Sequence, residues 1–277
     1  ALLIQQESAK NQVPPQTMAC CTAMTQGQIG WMLQNRISYW MSREGLPYPV
    51  STLITQTVVD KHDPAFDNPD KPVGPFYTQP EAMRLQADKK YTIKQVDPGS
   101  DRGWRRVVSS PIPIDIFESK AIKTLLGIEA LVVVSGGGGV PILKSPDVRF
   151  NGIAAVVDKD RTAVKLGEVL DADFLLILTD VEKVYLNYNQ PNQKALDVIS
   201  VNEAQAYLEA GHFGAGSMAP KMEAAIAFAQ VRGKRAIITS LDKALDALEG
   251  LTGTHIDIGG RDNRTLAEMP AHQENLI

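Results

Sequence analysis

Nothing constrains the fold of this 277-residue chain more than the run Leu131-Val132-Val133-Val134-Ser135-Gly136-Gly137-Gly138-Gly139, followed by Val157-Asp158-Lys159-Asp160. Four apolar, mostly β-branched residues in an unbroken row predict a parallel strand buried on both faces. Four glycines at its C-terminal end remove every Cβ from the turn, so backbone N–H groups can approach an anion there. Lys159, flanked by two aspartates at the entrance to a helix, adds a positive charge where phosphoryl oxygens would lie. Together the two motifs describe phosphoryl transfer without a P-loop.

The pattern around them is that of an α/β protein. Ile29, Met32, Leu33, Ile37 and Trp40 recur at helical spacing between Thr22 and Trp40 and predict a helix with one buried face, with Met18, Met24, Met32 and Met41 as core packing. Residues 53–59, rich in β-branched side chains, predict a strand. From 61 to 106 the chain changes character, with prolines at 64, 69, 72, 75, 80 and 98, and is expected to protrude as a small subdomain. A helix over 114–126, the strand at 130–135, a hairpin-like stretch through Phe150, a helix over 160–170 and a strand over 174–178 follow. Next come a helix beginning near Ser217 as N-cap and closed by Gly233, a strand over 236–240 and a helix over 244–248. Such alternation predicts a mainly parallel open sheet covered by helices on both faces, with ligands at the C-terminal ends of its strands. The expected organisation is a core of residues 1–60 and 107–256, the protrusion 61–106, and a polar tail over 257–277.

Composition narrows the function classes. A formal net charge of −4 offers no basic footprint for nucleic acid, and no stretch approaches a membrane span. The only cysteines, Cys20 and Cys21, are adjacent, which disfavours an ordinary disulfide and points to a reducing, cytoplasmic setting. His62, His212, His255 and His272 show no metal-ligand spacing and no nucleophile to pair with, so a hydrolase triad is unsupported. The opening residues Leu2-Leu3-Ile4 follow no initiator Met or charged n-region and read as internal sequence.

Lys221 is expected in the first turn of its helix, where a cation is mildly disfavoured by the helix dipole unless an anion binds there too. Thr179-Asp180 closes a strand at the ligand-binding edge. Tyr185 and Tyr188 are placed to stack on an adenine or simply to pack.

The segments Asn68-Pro69-Asp70-Lys71-Pro72-Val73-Gly74-Pro75-Phe76-Tyr77, Asp101-Arg102-Gly103-Trp104-Arg105-Arg106-Val107-Val108, Gly136–Gly139, Val157–Asp160, Leu178-Thr179-Asp180-Val181 and 211–221 together resemble the carbamate kinases, across nearly the whole chain to Gly253-Thr254. The resemblance implies a three-layer α/β/α sandwich with a small protruding subdomain. It also implies a cytoplasmic homodimer that interconverts carbamoyl phosphate and ADP with carbamate and ATP, using Mg²⁺. By position, Lys71 would close over the carbamate end, and Gly136, Gly137, Gly138 and Gly139 would hold carbamate and the transferred phosphoryl. Lys159 and Lys221 would neutralise the phosphoryl, and Asp158 would orient the lysines. Thr179, Asp180, Tyr185 and Met218 would line the nucleotide pocket; no metal ligands are assigned. The family's two N-terminal glycine-rich turns, Gly-Gly-Asn-Ala and Gly-Asn-Gly-Pro-Gln, do not occur in the sequence. The alternative is therefore an impaired, carbamate-kinase-like nucleotide-binding subunit with an assembly role.

Overall fold

The computed structural model describes residues 2–143, 152–214, 217–231 and 234–259. Four sequence expectations, the stretch running to Phe150, Gly216, the helix stop at Gly233 and most of the polar tail, lie outside those residues. The chain divides into two compact units, residues 1–165 and 166–277.

The first unit opens with α1 (Leu2–Ser8) and the long α2 (Met18–Arg43), capped by the Thr17 side chain accepting from the Cys20 amide. Then come β1 (Val50–Thr52), β2 (Gln56–Val59), β3 (Lys71–Tyr77), α3 (Gln79–Lys89), β4 (Ile93–Gln95), β5 (Trp104–Val108), β6 (Pro113–Ile116), α4 (Ser119–Leu126), β7 (Leu131–Val133), β8 (Val140–Leu143) and α5 (Lys159–Leu170), within which the unit boundary falls. β1 pairs with β7 in parallel; β2 pairs with β8 in parallel and with β6 antiparallel. Strands β3, β5 and β4 form a separate antiparallel sheet, bulged between Val73 and Phe76 where Gly74 takes φ 72°.

The second unit contains β9 (Phe174–Thr179), β10 (Val184–Leu186), β11 (Lys194–Leu196), β12 (Val198–Ser200), α6 (Val201–Glu209), α7 (Met218–Ala229), β13 (Arg235–Ser240), α8 (Ala244–Leu248) and β14 (Thr254–Asp257). Its sheet runs β12-β14-β13-β9, parallel at β9–β13 and β12–β14 and antiparallel at β13–β14. The core of this unit is the apolar face of α7, with Met222, Ala225, Ile226 and Phe228, against Ile237, Ile238 and Ile256, all buried. The α/β class is thus as expected, and among the described residues no helix is long and apolar enough to cross a membrane.

Four local expectations are corrected. Residues 113–116 form a strand, not the start of a helix, because Pro113 and the β-branched Ile114 and Ile116 favour an extended chain; the helix waits until Ser119. Of the expected strand over 53–59 only Gln56–Val59 forms, because the backbone of Thr55 is taken by the Gln26 side chain; a separate short strand precedes it at Val50–Thr52. The run at 131–134 gives only a three-residue strand with Leu131 39% exposed, because it pairs with β1 alone among the described residues. Asp257 ends β14, so it is sheet and not tail.

The largest correction concerns α2. Its expected buried face is largely outward: Ile29, Met32, Leu33 and Trp40 are exposed, as is Met24. The face against the sheet is instead Met18, Cys21, Gln26 and Gly30. A Cβ on Gly30 would sit 2.2 Å from Thr52 Cγ2, and the Thr52 hydroxyl donates to the Gly30 carbonyl at 3.0 Å. Close approach of helix to strand selects small and polar residues, which a search for apolar periodicity passes over.

Candidate active site

The glycine turn leaves β7 through Ser135 and Gly136, both left-handed at φ 57° and 50°, and returns into β8 through Gly139 at φ 76°. The Gly136 amide donates to the Val134 carbonyl and the Gly139 amide to the Ser135 carbonyl, closing the turn on itself. The amides of Gly137 and Gly138 donate to no acceptor among the described residues.

Around the turn, side chains from three distant segments fix its backbone. Thr55 Oγ1 accepts from the Ser135 amide at 3.0 Å. Thr57 Oγ1 donates to the Gly138 carbonyl at 2.7 Å, and Thr162 Oγ1, one turn into α5, lies 3.1 Å from the same oxygen. Gln26 grips Thr55 at both ends, its Oε1 accepting from the amide at 2.8 Å and its Nε2 donating to the carbonyl at 3.0 Å. With the Gly138 carbonyl turned into these hydroxyls, the N–H groups of the turn are what it can offer a ligand. A cavity of about 360 Å³ opens beside it, lined by Gly136–Gly139, Ser135, Gln26, Val157, Gly74 and Arg105 among others.

Asp158 follows Val157 at the cavity wall and does two things. Its Oδ1 accepts from the amides of Asp160 and Arg161 at 2.9 and 3.4 Å, capping α5. Its Oδ2 pairs with Lys71 Nζ at 3.0 Å, bringing β3 to the head of α5. Burial pushes this carboxyl up, but the Lys71 ammonium and the two amides outweigh it and hold the pKa below the ordinary aspartate value. Asp158, expected to orient the lysines, is paired with Lys71. Lys159 Nζ reaches Asp160 Oδ2 at 3.1 Å.

In the second unit, Thr179 ends β9 and donates to Asp180 Oδ1 at 3.0 Å. Tyr185 lies on β10, its ring centroid 5.9 Å from that of Tyr188. Met218 opens α7 and Lys221 lies in its first turn; Ser217 holds the N-cap position but makes no capping bond through its side chain. Among the described residues no group of three or more His, Cys, Asp or Glu is placed to hold a metal ion.

Sequence reasoning missed Gln26, Thr55, Thr57, Thr162 and Arg105. Thr162 carried a weak signal, four residues after Asp158 on the same helix face. The others are polar residues inside apolar stretches or far away in sequence, and only the fold brings them together.

The amino acid kinase family model matches residues 82–240. Carbamate kinase of Thermococcus kodakarensis is 45% identical over 258 residues, covering 92% of this chain and 81% of that protein. Carbamate kinase of Clostridium perfringens is 49% identical over 235 residues, covering 84% and 74%. Among solved structures, carbamate kinase from Giardia lamblia bound to AMP-PNP superposes with a TM-score of 0.86 at 42% identity, over 93% of this chain and 80% of that one.

Proposed function

The chain belongs to the amino acid kinase family and, within it, to the carbamate kinases, and we propose that it catalyses reversible phosphoryl transfer between carbamoyl phosphate and ADP, giving carbamate and ATP. The observation that carries the reading is the anion-ready glycine turn held in one unit with the Lys71–Asp158 pair at the head of α5. A terminal phosphate oxygen of ADP attacks phosphorus, the bond from phosphorus to the carbamate oxygen breaks, and carbamate leaves as an anion. No covalent enzyme intermediate is needed, so the protein's work is positioning and charge neutralisation.

The free amides of Gly137 and Gly138 take oxygens of the substrate at the turn. Lys71, drawn off Asp158, covers the carbamate end, and Asp158 stays behind as the cap of α5. Lys159 and Lys221 balance the charge of the phosphoryl group in flight, each as a compact point charge. Thr179, Asp180, Tyr185 and Met218 are assigned to the nucleotide, in keeping with the nucleotide analogue bound by the Giardia relative. The magnesium ion arrives on the nucleotide as part of the substrate, the usual mode for an ion held by phosphates and water. The same reading carries a cytoplasmic homodimer working in arginine breakdown. The impaired-subunit alternative gains nothing from the chain, which retains Lys71, Lys159 and Lys221, charges a non-catalytic binder would not need.

The experiment is ATP formation from ADP, Mg²⁺ and carbamoyl phosphate by the purified protein, with Lys159→Ala run beside it. ATP made by the wild type and lost in the variant supports the reading. An inactive wild type that still binds ADP overturns it in favour of the nucleotide-binding subunit.

A further inference from the structure

We infer that Thr239 and Thr254 are positioning residues for the nucleotide, their buried hydroxyls pinning the stretch between Asp180 and Tyr185 from beneath. The inference rests on the carbamate kinase reading, in which Asp180 and Tyr185 serve the nucleotide.

Thr239 on β13 and Thr254 on β14 are both 0% exposed. A hydroxyl costs free energy to bury unless it is hydrogen-bonded, and valine fills nearly the same space without that cost. Both hydroxyls are bonded outside their own strands. Thr239 Oγ1 donates to the Glu182 carbonyl at 3.0 Å, two residues beyond Asp180. Thr254 Oγ1 accepts from the Val184 amide at 2.8 Å and donates to the Leu196 carbonyl. Val184 and Leu196 face each other at the end of the β10–β11 ladder away from its turn, so one hydroxyl joins both strands at the base of the hairpin that carries Tyr185.

The stretch 180–183 belongs to no strand or helix, so its shape depends on what fastens it. β9 is paired with β13 as far as Thr179 against Ser240, and the stretch leaves the sheet directly beside Thr239. Glu182 is tied a second time, its carboxylate accepting from the Thr252 hydroxyl in the loop before β14. The fastenings lead to β13 and β14, the two inner strands of the sheet β12-β14-β13-β9. Asp180 and Tyr185 are therefore placed before the nucleotide arrives, and binding need not order them. The hydroxyls and the stretch they hold lie in the second unit, whereas the glycine turn and the Lys71–Asp158 pair lie in the first, so the effect falls on the nucleotide and spares carbamoyl phosphate.

The test is ADP binding by titration calorimetry to the wild type, Thr254→Val, Thr254→Ser and Thr239→Val, with the KM for carbamoyl phosphate and thermal melting measured alongside. Thr254→Val keeps the shape and loses both hydrogen bonds, and should weaken ADP binding about tenfold while the KM for carbamoyl phosphate moves less than about twofold. Thr254→Ser keeps the hydroxyl and should stay within about twofold of the wild type. Thr239→Val should weaken ADP binding severalfold, and carries the test by itself if Thr254→Val does not fold. Folded valine variants that bind ADP as the wild type does overturn the inference and leave the carbamate kinase reading intact. Equal weakening toward ADP and carbamoyl phosphate overturns it too, as does Thr254→Ser weakened like Thr254→Val, which would assign the residue to packing. Loss of the fold in both valine variants overturns it by assigning the hydroxyls to stability. A wild type that binds ADP but makes no ATP removes the carbamate kinase reading alone, and the valine variants then decide the inference by ADP affinity. A wild type that binds no ADP removes both.

Discussion

Replacing Gly138 by alanine should separate the turn's geometry from its chemistry. Gly138 is not in the left-handed region, so the cost is one of space alone. The new Cβ would stand 1.9 Å from the Val157 carbonyl oxygen and 2.5 Å from its carbon. An ordinary carbon–oxygen approach is about 3.3 Å, so a gap of over an ångström must open against backbone that cannot swing aside. Val157 is 2% exposed and joins directly to the residue that caps α5, so the turn is the part that yields. Its movement pulls the Gly138 carbonyl from Thr57, about 1 kcal/mol, on top of about 1–3 kcal/mol for overpacking. A displacement near 1 Å at a reacting centre costs about a hundredfold in rate. Melting and turnover should therefore both fall in Gly138→Ala. Gly99→Ala, where the nearest atom is 3.7 Å away, serves as the matched control and should change neither. A Gly138→Ala enzyme with wild-type melting and turnover would refute the claim that the turn is wedged against Val157.

Lys221→Ala should lose orders of magnitude in turnover while circular dichroism and melting stay close to wild type, because a charge acting on the transition state contributes little to the folded ground state. Lys71→Ala should raise the KM for carbamoyl phosphate more than that for ADP; equal effects would place that lysine elsewhere. Asp158 has a depressed pKa in the folded protein, so its contribution to stability is present above about pH 3.9, the unfolded value, and is lost as pH falls through the folded value. Asp158→Asn should flatten that part of the acid-unfolding profile, and an unchanged profile would contradict the ion pair with Lys71.

The parts of this molecule legible in the sequence are those where one physical demand acts on consecutive residues. Four glycines in a row after β7, and the helix expected from Asp160 and found from Lys159, report their own geometry. The strand expected over 236–240 runs over 235–240, and the helix over 244–248 has the limits expected from local pattern. What escaped was decided by surfaces meeting. The outward apolar face of α2 misled because periodicity identifies which residues share a side, while the approach of Gly30 to Thr52 decides which side goes in. Gln26, buried at 2% exposure, would be assigned to solvent by any polar-out rule, yet it fixes the chain beneath the turn. Arg105 sat inside a recognised motif, and only the fold shows its head group bonded to the Gly74 carbonyl and lying over the Phe76 ring.

The bonds that shape the anion site join residues far apart along the chain: Lys71 to Asp158 spans 87 positions, Thr57 to Gly138 spans 81 and Thr55 to Ser135 spans 80. Contacts of such high order repay their loop-closure entropy only after the intervening segments are in place. A ribosome that has not yet delivered Thr162 has made a chain with no functioning turn, however much local helix it already holds. An oxyanion that binds the turn therefore recognises only the finished form and draws the folding equilibrium toward it, so substrate concentration in the cell becomes one of the variables that set how much of this protein survives.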